Sequence, residues 1–324
     1  MLSPNLLASL RELFDQSHRF VVISHLRPDG DAYGSTLALT LSLQAAGKDV
    51  QAINADGLSS LFEFLPGGKN LTATLPHAPE TDRRVIAVDC ADQKRLGPSF
   101  EKWQRTPDVN IDHHVSNPGY ARLNLIDAES PATAQVLYDI ITALKLPLTA
   151  DVAANLYVGL MTDTGNFRYR QTTAYTFEVA ARLVAAGADP TDLAQNCYQG
   201  FRAERLLLLR EVFNAIQFSC QNRIAWFCFG PETYARSGAT PEETEGIIDY
   251  LQMVKTVEVA FILESLPDGL TRASMRSRGL IDVQQICREF GGGGHRLAAG
   301  LRSSLSPSVL EEKLLALITK QLPG

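Results

Sequence analysis

Ser24-His25-Leu26-Arg27-Pro28-Asp29-Gly30-Asp31-Ala32 places one imidazole and two carboxylates in a short stretch after an apolar run. Pro28 and Gly30 make this stretch a loop. Two carboxylates flanking a glycine can turn toward one point, where they repel unless a cation joins them. Divalent cations of hard or borderline character accept this mixture of carboxylate and imidazole. Asp89 ends the run Arg84–Val88 (RVIAV). A carboxylate at the tip of a buried strand lies where α/β proteins build their sites. Alone it reads as a helix N-cap; beside the His25 loop it reads as a metal bridge. Asp112-His113-His114 ends the next strand-like run. One histidine can ligate a metal while the other contacts a substrate phosphate, and Asp112 can orient an imidazole through its second ring nitrogen. Asp163 follows Leu156–Met161 and precedes Thr164-Gly165-Asn166. Gly165 is expected to close that helix. An anion at a helix C-terminus is unfavourable, so Asp163 requires a compensating cation.

A second constellation lies near the other end. Ala273-Ser274-Met275-Arg276-Ser277-Arg278 is followed by Phe290-Gly291-Gly292-Gly293-Gly294-His295. Glycines let backbone N–H groups converge on an anion, and arginine supplies a bidentate fork. The segment lacks the Lys-Ser/Thr of a P-loop. Between Thr271 and Arg302 six arginines face Asp282 and Glu289, a local charge of +4 in a chain whose net charge is −6. The plain reading is a solvated face, and the sharper one is a pocket for a small anion.

The elements that must position these residues alternate. Arg19–Ser24, Asp49–Asn54, Arg84–Val88, Val109–Ile111 and Ala121–Ile126 read as strands. Ala32–Ala46, Ala132–Leu144, Val152–Met161 and Thr173–Ala186 read as helices. Near-continuous apolar strands alternating with helices imply a parallel sheet covered on both faces. Glu129–Thr133 reads as a turn and a helix start. After Ala188–Asp192 comes a connecting helix through Asn214. A second strand set follows at Arg223–Phe229, Thr256–Glu264 and Leu270–Ser277, then helices at Val283–Phe290 and Val309–Gln321. The expected organisation is an α/β domain over residues 1–190, a connecting helix over 191–215 and a smaller α/β domain with a mixed sheet over 216–324. The site is expected in the cleft between the two domains.

Composition bounds the function. With 324 residues and 45% hydrophobic content, the chain reads as an ordinary globular protein of about two domains. No apolar run approaches the roughly 20 residues that span a bilayer, so no membrane partner is expected. Arg11, Glu12 and Asp15 interrupt any signal-peptide core. Five cysteines without a Cys-x-x-Cys pair suit a reducing cytoplasm. The negative balance argues against gripping long duplex nucleic acid, whose affinity comes from neutralising many phosphates.

His25-x3-Asp29-x-Asp31, Asp89, Asp112-His113-His114 and Asp163 together resemble the four motifs of the DHH phosphoesterase superfamily. The Arg276 and Gly-Gly-Gly-His295 segments resemble the DHH-associated C-terminal domain. The resemblance implies a first metal held by His25, Asp29 and Asp89, and a second by Asp31, Asp89, His113 and Asp163. Manganese is the expected ion, with magnesium as the alternative. It implies catalytic roles for His114 and Asp112, and binding of the substrate's end by Arg276, Ser277, Gly292, Gly293, Gly294 and His295. The overall plan resembles the nanoRNase and pAp phosphatase group of that superfamily. That group implies hydrolysis of short single-stranded RNA to mononucleotides and of 3′-phosphoadenosine 5′-phosphate (pAp) to AMP, in a homodimer. Three other readings share the motifs: a linear or cyclic dinucleotide phosphodiesterase, a RecJ-type single-strand DNA exonuclease, and a non-enzymatic nucleotide-binding module.

Overall fold

The computed structural model describes residues 3–75, 83–199, 202–244 and 246–322. The chain forms two compact units, Met1–Gly200 and Phe201–Gly324.

In the first unit the described elements are α1 (Pro4–Gln16), β1 (Arg19–Ile23), α2 (Gly30–Ala45), β2 (Asp49–Ile53), β3 (Arg83–Val88), α3 (Pro98–Glu101), β4 (Val109–Asp112), β5 (Leu123–Ile126), α4 (Thr133–Leu144), α5 (Ala150–Asp163), α6 (Ala174–Ala185) and α7 (Pro190–Tyr198). The strands form one parallel sheet in the order β2-β1-β3-β4-β5. Alternate side chains explain why these strands are apolar on both faces. Phe20 and Val22 pack into the core built with α1, α2, α4 and α5, while Val21 and Ile23 pack against Leu96 and Phe100 on the other side. The strand order reverses direction between β1 and β3, and at such a switch point a crevice opens beyond the carboxyl ends of the strands.

Two helices under this crevice approach unusually closely. A Cβ on Gly34 of α2 would stand 2.4 Å from the Asn155 carbonyl of α5, and one on Gly30 would stand 2.4 Å from Thr162 Oγ1. The glycines in α2 therefore serve backbone contact. Helix α2 also begins earlier than the sequence suggests, at Gly30 in place of Ala32. The Asp29 side chain caps it by accepting from the Asp31 and Ala32 N–H groups at 3.1 and 3.0 Å. Asp31 thus sits in a helical first turn and not in a loop.

The second unit comprises α8 (Ala203–Asn214), β6 (Gln217–Ser219), β7 (Ile224–Phe229), α9 (Pro231–Ser237), α10 (Ile247–Gln252), β8 (Val259–Ser265), β9 (Thr271–Ser277), α11 (Val283–Arg288), β10 (Gly293–His295), β11 (Ala298–Ser303) and α12 (Pro307–Gln321). Its sheet is mixed, in the order β10-β11-β9-β8-β7-β6, with β7 and β8 parallel and the other pairs antiparallel. One face packs on α11 and α12 through Trp226, Phe261, Met275 and Leu301. On the other, Phe227, Ala260 and Ile262 pack with Leu208 of α8 and Ile248 of α10. The segment expected as one connecting helix is two, α7 and α8. The short strands β6, β10 and β11 and the short helices α9 and α10 carry too little periodicity to be read from sequence. No described helix is long and apolar enough to cross a membrane.

Candidate metal centre

Three adjacent strand ends and two helix ends supply the predicted ligands. His25 follows β1, Asp89 follows β3 and His113 follows β4, and these strands are neighbours in the order β1-β3-β4. Asp29 and Asp31 lie at the N-terminus of α2, and Asp163 is the last residue of α5. Helix α5 ends in a Schellman turn: Asn166 N–H donates to the Met161 carbonyl at 2.7 Å and Gly165 N–H to that of Thr162 at 3.0 Å. Gly165 takes the left-handed conformation there, and the turn leaves the Asp163 carboxylate at the helix's negative end.

Among the described residues the ligand atoms form three overlapping groups, each with its atoms within 4.8 Å of one another: His25, Asp29 and Asp89; Asp31, His113 and Asp163; and Asp89, His113 and His114. Asp89 belongs to the first and the third, and His113 joins the third to the second. Asp89 Oδ2 is 3.5 Å from His25 Nε2, and its Oδ1 is 3.7 Å from His113 Nε2. His113 Nε2 is also 3.1 Å from Asp163 Oδ2. His25, Asp31 and Asp89 are 3%, 1% and 1% exposed, whereas Asp29 is open to solvent. Asp89 takes φ = 51°, a left-handed conformation uncommon outside glycine, asparagine and aspartate. Such strain persists where surrounding structure enforces it. Here it aims the carboxylate across the strand ends while Asp89 N–H still donates to the Ile111 carbonyl at 3.0 Å.

This donor set fits divalent cations. His113 Nδ1 is 3.2 Å from the Ser130 carbonyl. A carbonyl can only accept, so Nδ1 carries the proton and the Nε2 lone pair is turned toward Asp89 and Asp163. A lone pair facing two carboxylates is repulsive until a cation or a proton comes between them. The titration behaviour records the same conflict. Burial first, and then the Asp89 charge, push the Asp31 carboxyl up to about 7. Burial together with Asp31, Asp29 and Asp89 holds Asp163 well above the carboxylate range. Burial works to raise Asp89 too, but the hydrogen bond and charge of His25 and the charges of His114 and His113 outweigh it and hold Asp89 low. Burial works to lower His25, His113 and His114, yet the surrounding carboxylates raise all three.

A pH prediction follows with its sign. The raised Asp31, Asp163 and histidine values stabilise the metal-free fold at low pH, and that contribution is lost as pH rises through the folded values. The lowered Asp89 value acts only under acid conditions and is constant above pH 5. Bound cations displace these protons. The rise in Tm on adding Mn2+ should therefore be larger at pH 8 than at pH 6. A rise independent of pH in thermal melts would contradict this.

Asp112 joins none of these groups. It is buried, and its Oδ1 accepts from His114 Nδ1 at 2.7 Å and from His113 N–H at 2.9 Å, while its Oδ2 accepts from Asn117 Nδ2 at 2.6 Å. Asp112 therefore orients His114, and the Ser130 carbonyl orients His113. The His25 ring is placed by Leu26 O, 2.8 Å from its Nδ1, and by Arg95, whose Nη2 lies 2.9 Å from that nitrogen and donates to Leu26 O at 3.2 Å. Arg27 and Arg168 are committed to the surface and to a turn: Arg27 is exposed, and Arg168 Nε donates to the Gly165 carbonyl at 2.6 Å.

Thr133 was legible only as a helix start. Helix α4 has Ala132 at its N-cap and no side-chain cap of its own. Asp31 supplies the cap from α2: Thr133 N–H donates to its Oδ2 at 2.6 Å and Ala134 N–H to its Oδ1 at 3.0 Å. Thr133 Oγ1 then donates to Asp89 Oδ1 at 2.9 Å. One buried residue at a positive helix end thus holds two carboxylates. Thr133→Val keeps shape and backbone donor but loses this hydroxyl. It should weaken Mn2+ binding about 10–100-fold in a competition titration, with Thr133→Ser close to the wild type. Equal binding by the valine variant would refute the role.

In the second unit, Arg276 and His295 lie on one row across the sheet, since Ala298 of β11 pairs with Arg276 of β9 and with His295 of β10. Ser277 is not with them. It is buried on the opposite face, and its Oγ accepts from Gly279 N–H at 3.1 Å. The glycines have separate reasons. A Cβ on Gly292 would stand 2.3 Å from the Gly300 carbonyl and one on Gly294 would stand 2.6 Å from that of Ala298, so both serve the hairpin backbone. Gly293 opens to solvent with nothing within 4 Å of a Cβ. Gly293–His295 is a short strand because it pairs with β11.

Residues 19–160 match the DHH family, N-terminal domain, and residues 229–322 match the DHHA1 domain. The "Bifunctional oligoribonuclease and PAP phosphatase NrnA" of Thermus thermophilus is 31% identical over 281 residues, which are 86% of this chain and 82% of that protein. The chain belongs to the DHH family. A Bacillus subtilis relative of the same name is 26% identical over 288 residues, 85% of this chain and 86% of its own length. Among solved structures, an exopolyphosphatase-related protein from Bacteroides fragilis shares the fold with a TM-score of 0.89 at 21% identity, covering 99% of this chain and 98% of that one. Thermus thermophilus RecJ in complex with Mn2+ has a TM-score of 0.60 at 15% identity, covering 100% of this chain and 56% of that one. His25, Asp29, Asp31, Asp89, Asp112, His113 and His114 thus lie within the residues that match the DHH family, Asp163 lies just beyond them, and the Arg276 row lies within the DHHA1 match.

Proposed function

We propose that this DHH-family chain is a two-metal phosphoesterase that hydrolyses short single-stranded RNA oligonucleotides to mononucleotides, and pAp to AMP. One observation carries the reading: the Asp89 carboxylate stands beside both His25 and His113, which belong to two separate groups of ligand atoms. The first ion would take His25, Asp29 and Asp89, and the second Asp31, Asp89, His113 and Asp163, with Mn2+ as the natural ion and Mg2+ as the alternative. When bound, such a pair supplies a nucleophile at neutral pH and neutralises charge on an in-line phosphoryl transition state. Four carboxylates balance the charge of two divalent cations, so the phosphate needs further positive partners. His114, held by buried Asp112, would contact the phosphate and hold a proton for the leaving oxygen. Arg276, Gly293 and His295 would take the end of the substrate. The names of the Thermus and Bacillus relatives support the two substrates. The net charge of −6 weighs against long duplex substrates. The five cysteines are free, which supports a reducing cytoplasm. The homodimer implied by the family is checked by light scattering.

The experiment is incubation of the full chain with Mn2+ and labelled di- to pentaribonucleotides, and separately with pAp. The products expected are mononucleotides and AMP. If neither substrate is cleaved the reading fails, and hydrolysis of dinucleotides or of single-stranded DNA alone would move the chain to another DHH-family activity.

A further inference from the structure

The arginines between residues 271 and 302 are not equivalent in the fold. Arg278 is spent on the end of α10, donating to the carbonyls of Lys255 at 2.9 Å and Val254 at 3.1 Å and to that of Gln252. Arg296 donates to the Gly279 carbonyl at 3.2 Å. Arg288 lies in the last turn of α11, where its charge suits the helix dipole. The remaining three share one sheet face. Arg272 and Arg276 alternate along β9 with the buried residues Ala273 and Met275, so their side chains stand opposite the core packed on α11 and α12. Arg302 of β11 pairs directly with Arg272, and directly paired residues share a face.

The face is therefore ordered in rows. At one end are Arg276, Ala298 and His295; in the middle are Ser274, Gly300 and Gly293; at the other end are Arg272 and Arg302. The four residues from Arg276 to Arg272 span about 13 Å at about 3.3 Å each. The apolar packing of α8 and α10 on this face is against β7 and β8. The middle row carries almost no side chain above the sheet. One acidic group lies near the far row: buried Glu264, whose Oε2 is 2.5 Å from Arg272 Nη2 and whose Oε1 accepts from Tyr234 Oη at 2.7 Å. Arg272 is thus half neutralised and held in place, whereas the guanidinium of Arg302 is exposed. Two cationic rows separated by a low floor match a chain of anions and not a single one.

We propose that Arg302, with Arg272 beside it, forms a second phosphate subsite that engages an internal phosphodiester of a single-stranded oligonucleotide longer than two nucleotides. This rests on the reading of the chain as a hydrolase of short RNA. A stacked strand advances about 3.4 Å per nucleotide. The distance between the rows thus spans up to about four nucleotides, and fewer when the strand is extended. A dinucleotide held at Arg276 and His295 would not reach the far row, and a pentanucleotide would.

The test is kcat/KM of wild type, Arg302→Ala and Arg302→Lys on di-, tri-, tetra- and pentaribonucleotides at two salt concentrations. For Arg302→Ala the ratio of pentanucleotide to dinucleotide kcat/KM should fall about three- to tenfold, as loss of one charge-assisted phosphate contact implies. The logarithmic salt dependence for the pentanucleotide should become shallower by about 0.7, the value of one phosphate on a single strand. Arg302→Lys should keep the salt slope and recover part of the ratio. An unchanged ratio, or a fall shared equally by all lengths, overturns the proposal. Wild-type inactivity on every RNA length instead overturns the underlying reading, and is seen before any variant is compared.

Discussion

Asp89→Asn should lower kcat/KM by about 10³-fold or more and abolish the Mn2+-induced rise in Tm, with the far-UV circular dichroism of the metal-free chain unchanged. The size follows from the role. The proposed bridge would lose its carboxylate from both metal positions at once, and charge stabilisation of several kcal/mol is at stake, each 1.4 kcal/mol or so being tenfold. The choice of asparagine follows from the backbone. Asp89 sits at φ = 51°, where asparagine is tolerated and alanine is strained by about 1–2 kcal/mol. Asparagine also keeps an oxygen for the Thr133 hydroxyl, which donates to Asp89 Oδ1 at 2.9 Å. Activity retained above a tenth of wild type, or a Tm that still rises with Mn2+, would remove Asp89 from the bridging position.

Gly159→Ala should cripple the same site from a helix interior. In an ordinary helix this exchange stabilises by about 1 kcal/mol. Here a Cβ would stand 2.6 Å from Asp31 Oδ1, 2.8 Å from the Ala134 Cβ and 3.3 Å from the Asp31 Cα. None of these neighbours can yield cheaply. The Asp31 carboxylate is fixed by Thr133 N–H, Ala134 N–H and Ser35 Oγ, the last at 3.1 Å. Helix α2 is itself in backbone contact with α5 at Gly34. Overpacking of this kind costs about 1–3 kcal/mol, and the displaced carboxylate would also release the N-terminus of α4. The expected outcome is a lower Tm together with Mn2+ affinity reduced by about tenfold or more, of the order seen when groups supporting a ligand are disturbed. A variant with raised Tm and undiminished Mn2+ affinity would show that the contact relaxes harmlessly.

The two predictions differ in how far the amino-acid order alone would have suggested them. Asp89 stands out in the sequence. It is a carboxylate at the tip of an apolar run in a chain with a His-x3-Asp-x-Asp loop, and no partner is needed to notice it. Gly159 does not. Within LYVGLM it reads as a mild defect in a helix, because its reason lies on another helix more than a hundred residues away in the chain. The same holds for Thr133 and Arg95. Their types are unremarkable, and their roles exist only because Thr133 Oγ1 reaches Asp89 and Arg95 reaches the Leu26 carbonyl beside His25.

Chemistry and local pattern were therefore readable early. Carboxylates and imidazoles at strand ends, apolar strands alternating with helices, and a glycine-rich segment with arginines are each encoded by neighbours in the chain, whose types and periodicity are local properties. Registry was not readable. Which carboxylate caps α4, which imidazole Asp112 holds, and which arginines share an open sheet face depend on contacts between segments far apart in sequence. Those contacts are set by helix packing and strand pairing. A shift of one residue along β11 would send Arg302 to the opposite face of the sheet, and one along β9 would do the same to Arg272 and Arg276, with no change in composition or motif. The six residues proposed as metal ligands can be named from their order. That their side chains gather at all, with Asp89 beside both His25 and His113 and with a helix N-terminus and Gly159 against Asp31, follows from close packing in three dimensions.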